Sequence, residues 1–304
     1  MNSHGLRGVE IDPDRRPGEF RILCLGNSVS AGDNLSETQT YPFVMQGYLR
    51  QRSPNAWIRV QNGAVFGYSI WQGKMVFEEI VDVFKPDLVI LGFSYFDVHL
   101  VDENGDPARS HQGVLTRLRA LGFESMLYMT FRQAILTARA RPDPVVPPHP
   151  WRDGSSELQS RFNSRYFRWF MDECQDRGIQ MVLYTPYSHS TDCFMAPKPP
   201  GPGPVVTDLY RRMRDPEARK MASSQQNSPD DPDLRMEDLA CLYDIPHIDL
   251  DGSWRMRPDI LDYLRDDSHP TVEGTIMQAT EIGDFLLENG LIPGVPGRSR
   301  TPGI

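Results

Sequence analysis

The feature that most constrains this chain is a set of short apolar runs that do not alternate with polar residues. Helix-length stretches separate them. Residues 20–27 read Phe-Arg-Ile-Leu-Cys-Leu-Gly-Asn, and residues 88–93 read Leu-Val-Ile-Leu-Gly-Phe. A strand with one wet face alternates; a strand apolar at successive positions is covered on both faces, as parallel strands are when they lie between helical layers. Further strands are predicted at 57–62, closing on Asn62-Gly63, at 179–184 and at 248–250. Helical spacing is found at 40–50, 70–84 and 156–178. It recurs at 234–243, with Asp233 as N-cap, and at 271–289, with Gly290 as C-cap. Strands alternating with helices at these intervals predict βαβ units, and so an α/β fold with a central parallel sheet.

The 304 residues suffice for one large domain or two small ones. The reading adopted is a polar, proline-containing lead-in over 1–19, one α/β domain over 20–290, and a flexible tail over 291–304. Two stretches interrupt the domain. Residues 98–155 hold apolar helical segments (114–121 and 126–138) and end in a proline-rich run; residues 189–230 are rich in proline, glycine and polar residues. Both follow strand C-termini, the edge that carries ligand sites in open α/β sheets, so they either wall the pocket or decorate the surface.

Composition narrows the function. Hydrophobic content of 39% and charged content of 24% are those of a soluble globular protein. A net charge of -9 repels phosphate backbones, which argues against nucleic acid as a partner. No basic cluster suits an anionic membrane surface, and no apolar run approaches the length of a membrane span. Residues 1–8 lack the apolar core of a signal peptide, and Cys24, Cys174, Cys193 and Cys241 are scattered. Reduced thiols in a cytoplasmic protein are therefore expected, with export or anchoring in play if the natural chain extends upstream.

Two motifs carry chemistry. Gly26-Asn27-Ser28 follows the first predicted strand and presents a serine at a glycine turn; Asp266-Asp267-Ser268-His269-Pro270 sets a carboxylate three residues before a histidine. A serine hydroxyl is a poor nucleophile until a base takes its proton, and His269 is such a base near neutral pH. Asp266 can hold the far ring nitrogen and fix the tautomer, with Asp267 a rival in a less favourable position. The same residues also suit a helix start, with Asp267 or Ser268 as cap and Pro270 in the first turn. His4, His111 and His149 lie in loop-like settings and His247 in a structural one. His99 and His189 follow strand ends, where they could line a pocket. No zinc-binding spacing occurs, and no cofactor is called for.

These motifs resemble those of the SGNH/GDSL hydrolase superfamily. Gly26-Asn27-Ser28 stands at the Gly-Asp-Ser block. Asn62-Gly63-Ala64-Val65-Phe66-Gly67-Tyr68-Ser69 resembles the second block, and Asp266-Asp267-Ser268-His269-Pro270 the Asp-x-x-His-Pro block. The lead-in Asn2-Ser3-His4-Gly5-Leu6-Arg7-Gly8 resembles segments that precede such domains. The resemblance implies a flavodoxin-like three-layer α/β/α sandwich and a Ser28–His269–Asp266 triad. It also implies an oxyanion hole made by the N–H groups of Ser28 and Gly67. Two departures stand out. Asn27 replaces an aspartate outside the triad. In Gly92-Phe93-Ser94-Tyr95-Phe96-Asp97, Phe96 takes the place of the asparagine that is the family's third oxyanion donor. Ser94 or Tyr95 could supply a hydroxyl instead, and another alignment sets Ser94 itself at that position.

Three functions are compatible with the residues. The first is a serine hydrolase acting on a small ester, thioester or acylated sugar. The second is an acyltransferase with the same triad, favoured if 98–155 forms a lid that excludes water. The third is a binding protein of the same fold with impaired catalysis, suggested by Phe96. Tyr68, Tyr95 and Phe96 are candidates for substrate contact. Trp71 and Phe93 near them are equally suited to a pocket wall or to the core. The residues leave oligomeric state unspecified.

Overall fold

The computed structural model describes residues 2–93, 155–187, 236–266 and 268–295, with side chains in the second of these stretches described from residue 163. Five strands form one parallel sheet: β1 (Glu19–Gly26), β2 (Trp57–Asn62), β3 (Leu88–Gly92), β4 (Gln180–Thr185) and β5 (His247–Asp249). Their order is β2-β1-β3-β4-β5, that of a flavodoxin-like doubly wound sheet. The described helices are α1 (Ser28–Ala31), α2 (Tyr41–Arg52), α3 (Ile70–Phe84), α4 (Ser155–Arg177), α5 (Met236–Leu242), α6 (Leu250–Arg255) and α7 (Val272–Glu288).

The sheet separates two apolar layers, which is why its strands do not alternate. On one face Leu23, Leu25, Val89, Leu91 and Leu183 pack against Phe77 and Phe84 of α3, Phe167 and Phe170 of α4, and Leu239 of α5. On the other, Ile22, Cys24, Ile90, Val182 and Tyr184 pack against Tyr41, Met45 and Leu49 of α2 and Ala279, Ile282 and Leu286 of α7. Successive β1 side chains thus go to opposite cores. Each fully buried Leu, Ile or Phe contributes about 1.5–3 kcal/mol relative to exposure. The result is the three-layer α/β/α sandwich expected from the sequence.

Strand order reverses between β1 and β3, so a crevice opens at their C-terminal ends. The backbones meet there through a glycine pair, Gly26 opposite Gly92. A Cβ on Gly92 would lie 1.9 Å from Tyr184 Cε1, and one on Gly26 would lie 2.2 Å from Ser30 Oγ. Glycine is required at both positions because α1 and the Tyr184 ring press directly on the strand ends.

Several segments show packing or caps beyond the sequence pattern. Residues 2–19 form more than an extended lead-in: Leu6 and Ile11 join the first core cluster, and Arg7 makes a bridge with Asn62 beside β2. The start of the expected flexible tail is also packed, with Leu291, Ile292 and Val295 against the second core. The last strand is Ile248-centred as read, but Leu250 begins α6. Asp249 Oδ1 accepts the Gly252 N–H at 2.8 Å and turns the chain into a helix there. At the end of α7, Gly290 lies one residue beyond the cap Asn289. Its φ is 67°, and the Leu291 N–H donates to Leu286 O at 2.9 Å. The predicted cap Asp233, the insertion 98–155 up to residue 154, the insertion 189–230 and their helical segments fall outside the described residues.

Cys24 and Cys174 are free thiols. Burial pushes the Cys24 and Cys174 thiols up to about 12, so both remain protonated and inert. No described helix is long and apolar enough to cross a membrane.

Candidate active site

The candidate nucleophile sits where β1 runs out of sheet. Asn27 caps the one-turn helix α1, its Oδ1 accepting the Val29 N–H at 3.1 Å. An aspartate would do the same, so the Asn27 departure leaves this turn intact. Ser28 is the first residue of the helix, and Gly32, with φ 78°, ends it by donating its N–H to Ser28 O at 3.0 Å. The tight turn leaves Ser28 half-buried at the crevice.

The histidine arrives from the other end of the chain. Leu264 and Pro270 form an antiparallel bridge, and the Arg265 N–H donates to His269 O at 2.8 Å, closing a tight loop over 264–270. Within it Asp266 Oδ1 accepts the N–H groups of Ser268 at 3.0 Å and His269 at 2.8 Å. This self-bonded turn aims the carboxylate at its own histidine: His269 Nδ1 lies 2.9 Å from both Asp266 oxygens. The opposite ring nitrogen, Nε2, is 2.8 Å from Ser28 Oγ, across 241 positions of sequence. Burial pushes the Asp266 carboxyl up, but the two N–H groups and the imidazole outweigh it and hold the pKa below the ordinary carboxylate value. The acid is thus held ionised to below the usual carboxylate range. A proton on Nδ1 is then donated to Asp266, leaving Nε2 to accept the Ser28 hydroxyl proton.

The loop after β2 continues along β1 beyond the end of the strand. The Gly63 N–H donates to Cys24 O at 2.8 Å and the Val65 N–H to Gly26 O at 3.1 Å. This carries Gly67, at φ 69° and exposed, to the same edge as Ser28. Among the described residues neither the Ser28 nor the Gly67 N–H is spent on another group. Tyr68 is half-buried in this loop. Phe93 is a core residue, its ring where a Cβ on Gly73 would fall, and Trp71 packs against the same core. The core reading therefore holds for Phe93, while Trp71 is partly buried. Ser94, Tyr95, Phe96 and Asp267 lie outside the described residues, as do His99, His111, His149 and His189. His247 is structural: its Nε2 is 2.8 Å from Thr185 Oγ1. Among the described residues no group of three His, Cys, Asp or Glu could hold a metal ion.

Three supports of the site escaped the sequence reading. Arg7 donates to Ala31 O at 2.6 Å, Gly32 O at 2.8 Å and Leu35 O at 2.6 Å, gripping the carbonyls at the end of α1. Its guanidinium lies 5.9 Å from the exposed Phe66 ring. Arg265 binds Asp33 just past α1, with Nη2 2.6 Å from Oδ2 and Nη1 2.9 Å from Asp33 O. Beneath the serine, the Ser30 hydroxyl bonds the buried Tyr184 hydroxyl and lies 3.3 Å from Gly92 O. Burial pushes the Tyr184 hydroxyl well up, so it remains a neutral partner. The one advance signal was the lead-in string around Arg7, a resemblance with no role attached.

No family model matches the chain, and neither does any curated protein. Among solved structures it is similar to a lipase/acylhydrolase from Enterococcus faecalis, at 14% identity and a TM-score of 0.46 over 90% of this chain and 97% of that one. It is also similar to Axe2, an acetylxylan esterase from Geobacillus stearothermophilus, at 15% identity and a TM-score of 0.48 over 88% and 94%. At such identities the site stands on its own atoms.

Proposed function

We propose that this protein is a serine-dependent hydrolase of the SGNH/GDSL type that cleaves a carboxylic ester or thioester through an acyl-enzyme on Ser28. The observation that carries the reading is the relay Ser28 Oγ–His269 Nε2 at 2.8 Å and His269 Nδ1–Asp266 at 2.9 Å. In this scheme His269 takes the Ser28 proton as Oγ bonds to the carbonyl carbon. Asp266 stabilises the imidazolium that forms, and the N–H groups of Ser28 and Gly67 hold the oxyanion. His269 then gives its proton to the leaving alcohol or thiol. Water, activated by the same imidazole, attacks the acyl-enzyme, releases the acid and restores Ser28.

The test is fluorophosphonate labelling, with hydrolysis of short- and long-chain p-nitrophenyl esters, by the wild type, Ser28→Ala and His269→Ala. Labelling confined to wild-type Ser28, and a fall in kcat on the order of 10⁴-fold or more in both variants, are expected. A folded wild type that neither labels nor turns over would sink the hydrolase reading and favour a binding role. Product that changes on adding an alcohol or amine acceptor would replace hydrolysis by acyl transfer.

A further inference from the structure

The Asp266–His269 bond is local to one loop, so it orients the imidazole without fixing the loop's distance from Ser28. The Ser28–His269 hydrogen bond does fix that distance, but on the serine mechanism it is lost when Oγ becomes an ester oxygen. A second connection between the two blocks runs beside it. The Asp33 N–H donates to Ser28 O at 3.2 Å. The Asp33 carboxylate and carbonyl both accept from the Arg265 guanidinium, at 2.6 and 2.9 Å. The Arg265 N–H in turn donates to His269 O at 2.8 Å. Each end of the Asp33–Arg265 pair is therefore one backbone hydrogen bond from a reacting residue. Among the described residues, Ser28–His269 is the other hydrogen bond that joins 28–33 to 265–269.

We propose that Asp33 and Arg265 are positioning residues whose ion pair holds the His269 loop in register with the Ser28 turn, including while Ser28 is acylated. The proposal rests on the serine hydrolase reading above. The fork geometry suits this role, because a planar guanidinium bound at two points resists rotation as well as separation. Near-attack geometry is sensitive, since a displacement of about 1 Å can cost as much as a hundredfold in rate. The loop's own hydrogen bonds remain when the pair is broken, so a partial loss of about tenfold is expected. Arg265 Nη2 also lies 3.7 Å from Asp266 Oδ2, which gives it a direct route to the acid. Asp33 variants leave the Arg265–Asp266 contact in place, so their effect is separable from the loss of that contact.

The experiment is a double-mutant cycle of Asp33→Ala and Arg265→Ala, with Asp33→Asn as the conservative variant. Arg177→Ala, which breaks the surface pair with Asp82 between α4 and α3, is the control. Each alanine variant is expected to lower kcat about tenfold with KM within about twofold. The double variant should be no worse than the lower single, because both act through one link. Asp33→Asn, which keeps an acceptor, should fall between wild type and Asp33→Ala, and Arg177→Ala should match wild type. Single variants within about twofold of wild type, or losses that multiply in the double variant, would overturn the proposal. A second readout does not need turnover: the ¹⁵N shift of His269 Nε2 should move in Asp33→Ala toward its value in Ser28→Ala. An unlabelled, inactive wild type would defeat the hydrolase reading alone, and the pair is then judged by this shift, with no movement refuting it.

Discussion

Truncating Arg7 tests whether the first residues of the chain belong to the catalytic scaffold. Arg7→Ala removes donors to three carbonyls at and beyond the end of α1, at 2.6, 2.8 and 2.6 Å. A hydrogen bond from a charged donor contributes about 1.5–3 kcal/mol net, and the half-buried setting argues for the low end, about 4.5 kcal/mol for the three. Freezing the arginine side chain costs about 2 kcal/mol, which leaves about 2–3 kcal/mol. The variant also loses the positive charge that faces the negative end of the α1 dipole. For a chain of this size that loss lowers Tm by about 3–5 °C. Because Ser28 is on the same single turn, kcat should fall more than KM rises. Arg7→Lys should recover little: one ammonium group cannot span three carbonyls set for a planar fork. Calorimetry with steady-state kinetics checks both. An Arg7→Ala protein with Tm within about 1 °C and kcat within about twofold of wild type would show that these contacts carry no net energy, and the reasoning fails.

Three further outcomes follow from the same structure. Asp266 has its pKa lowered, net of a burial effect that raises it, by the backbone N–H groups of Ser268 and His269. Its contribution to stability is present above the ordinary value of 3.8 and lost as pH falls through the lower folded value. The Tm gap between wild type and Asp266→Asn should therefore hold down to mildly acidic pH and close only below 3.8; a gap that closes at higher pH refutes the assignment. Glu281 is shifted the other way, raised by burial despite accepting the Trp254 indole N–H at 2.8 Å. Glu281→Gln keeps an acceptor and removes the desolvated charge. It should raise Tm at neutral pH, with the gain vanishing below 4.5, and a lower Tm at neutral pH contradicts this. Gly92→Ala would set its Cβ 1.9 and 2.1 Å from Tyr184 Cε1 and Cζ, so a loss of about 3 kcal/mol or failure to fold is expected. Adding Tyr184→Phe should not rescue it, because the clashing ring carbons remain; rescue in a melting assay would locate the strain in the hydroxyl instead.

Much of the fold was legible because its causes are local. Residues 70–84 are delimited as α3 by local causes, since Ser69 and Gln72 form a capping box at one end and Pro86 follows the last turn at the other. The Asp266–His269 bond was legible for the same reason, since a spacing of three residues can close only a turn. Arg7 was not legible: its acceptors lie 24, 25 and 28 positions away and are backbone carbonyls, which carry no side-chain signal. Asp33 and Arg265 are separated by 232 positions and look in the sequence like ordinary surface charges.

The chain by itself determined the class of fold, through apolar runs that only a sheet covered on both faces can satisfy. It also determined which serine, histidine and aspartate types were available for chemistry. The tertiary structure decided how close they come, because strand order brings the end of β1 and the loop before α7 to one edge. It decided, too, that Gly26 and Gly92 must lack side chains, through the packing of Ser30 and Tyr184 against them. Local geometry is written in neighbouring residues, whereas distances across 241 positions exist only once the two helical layers have closed on the sheet.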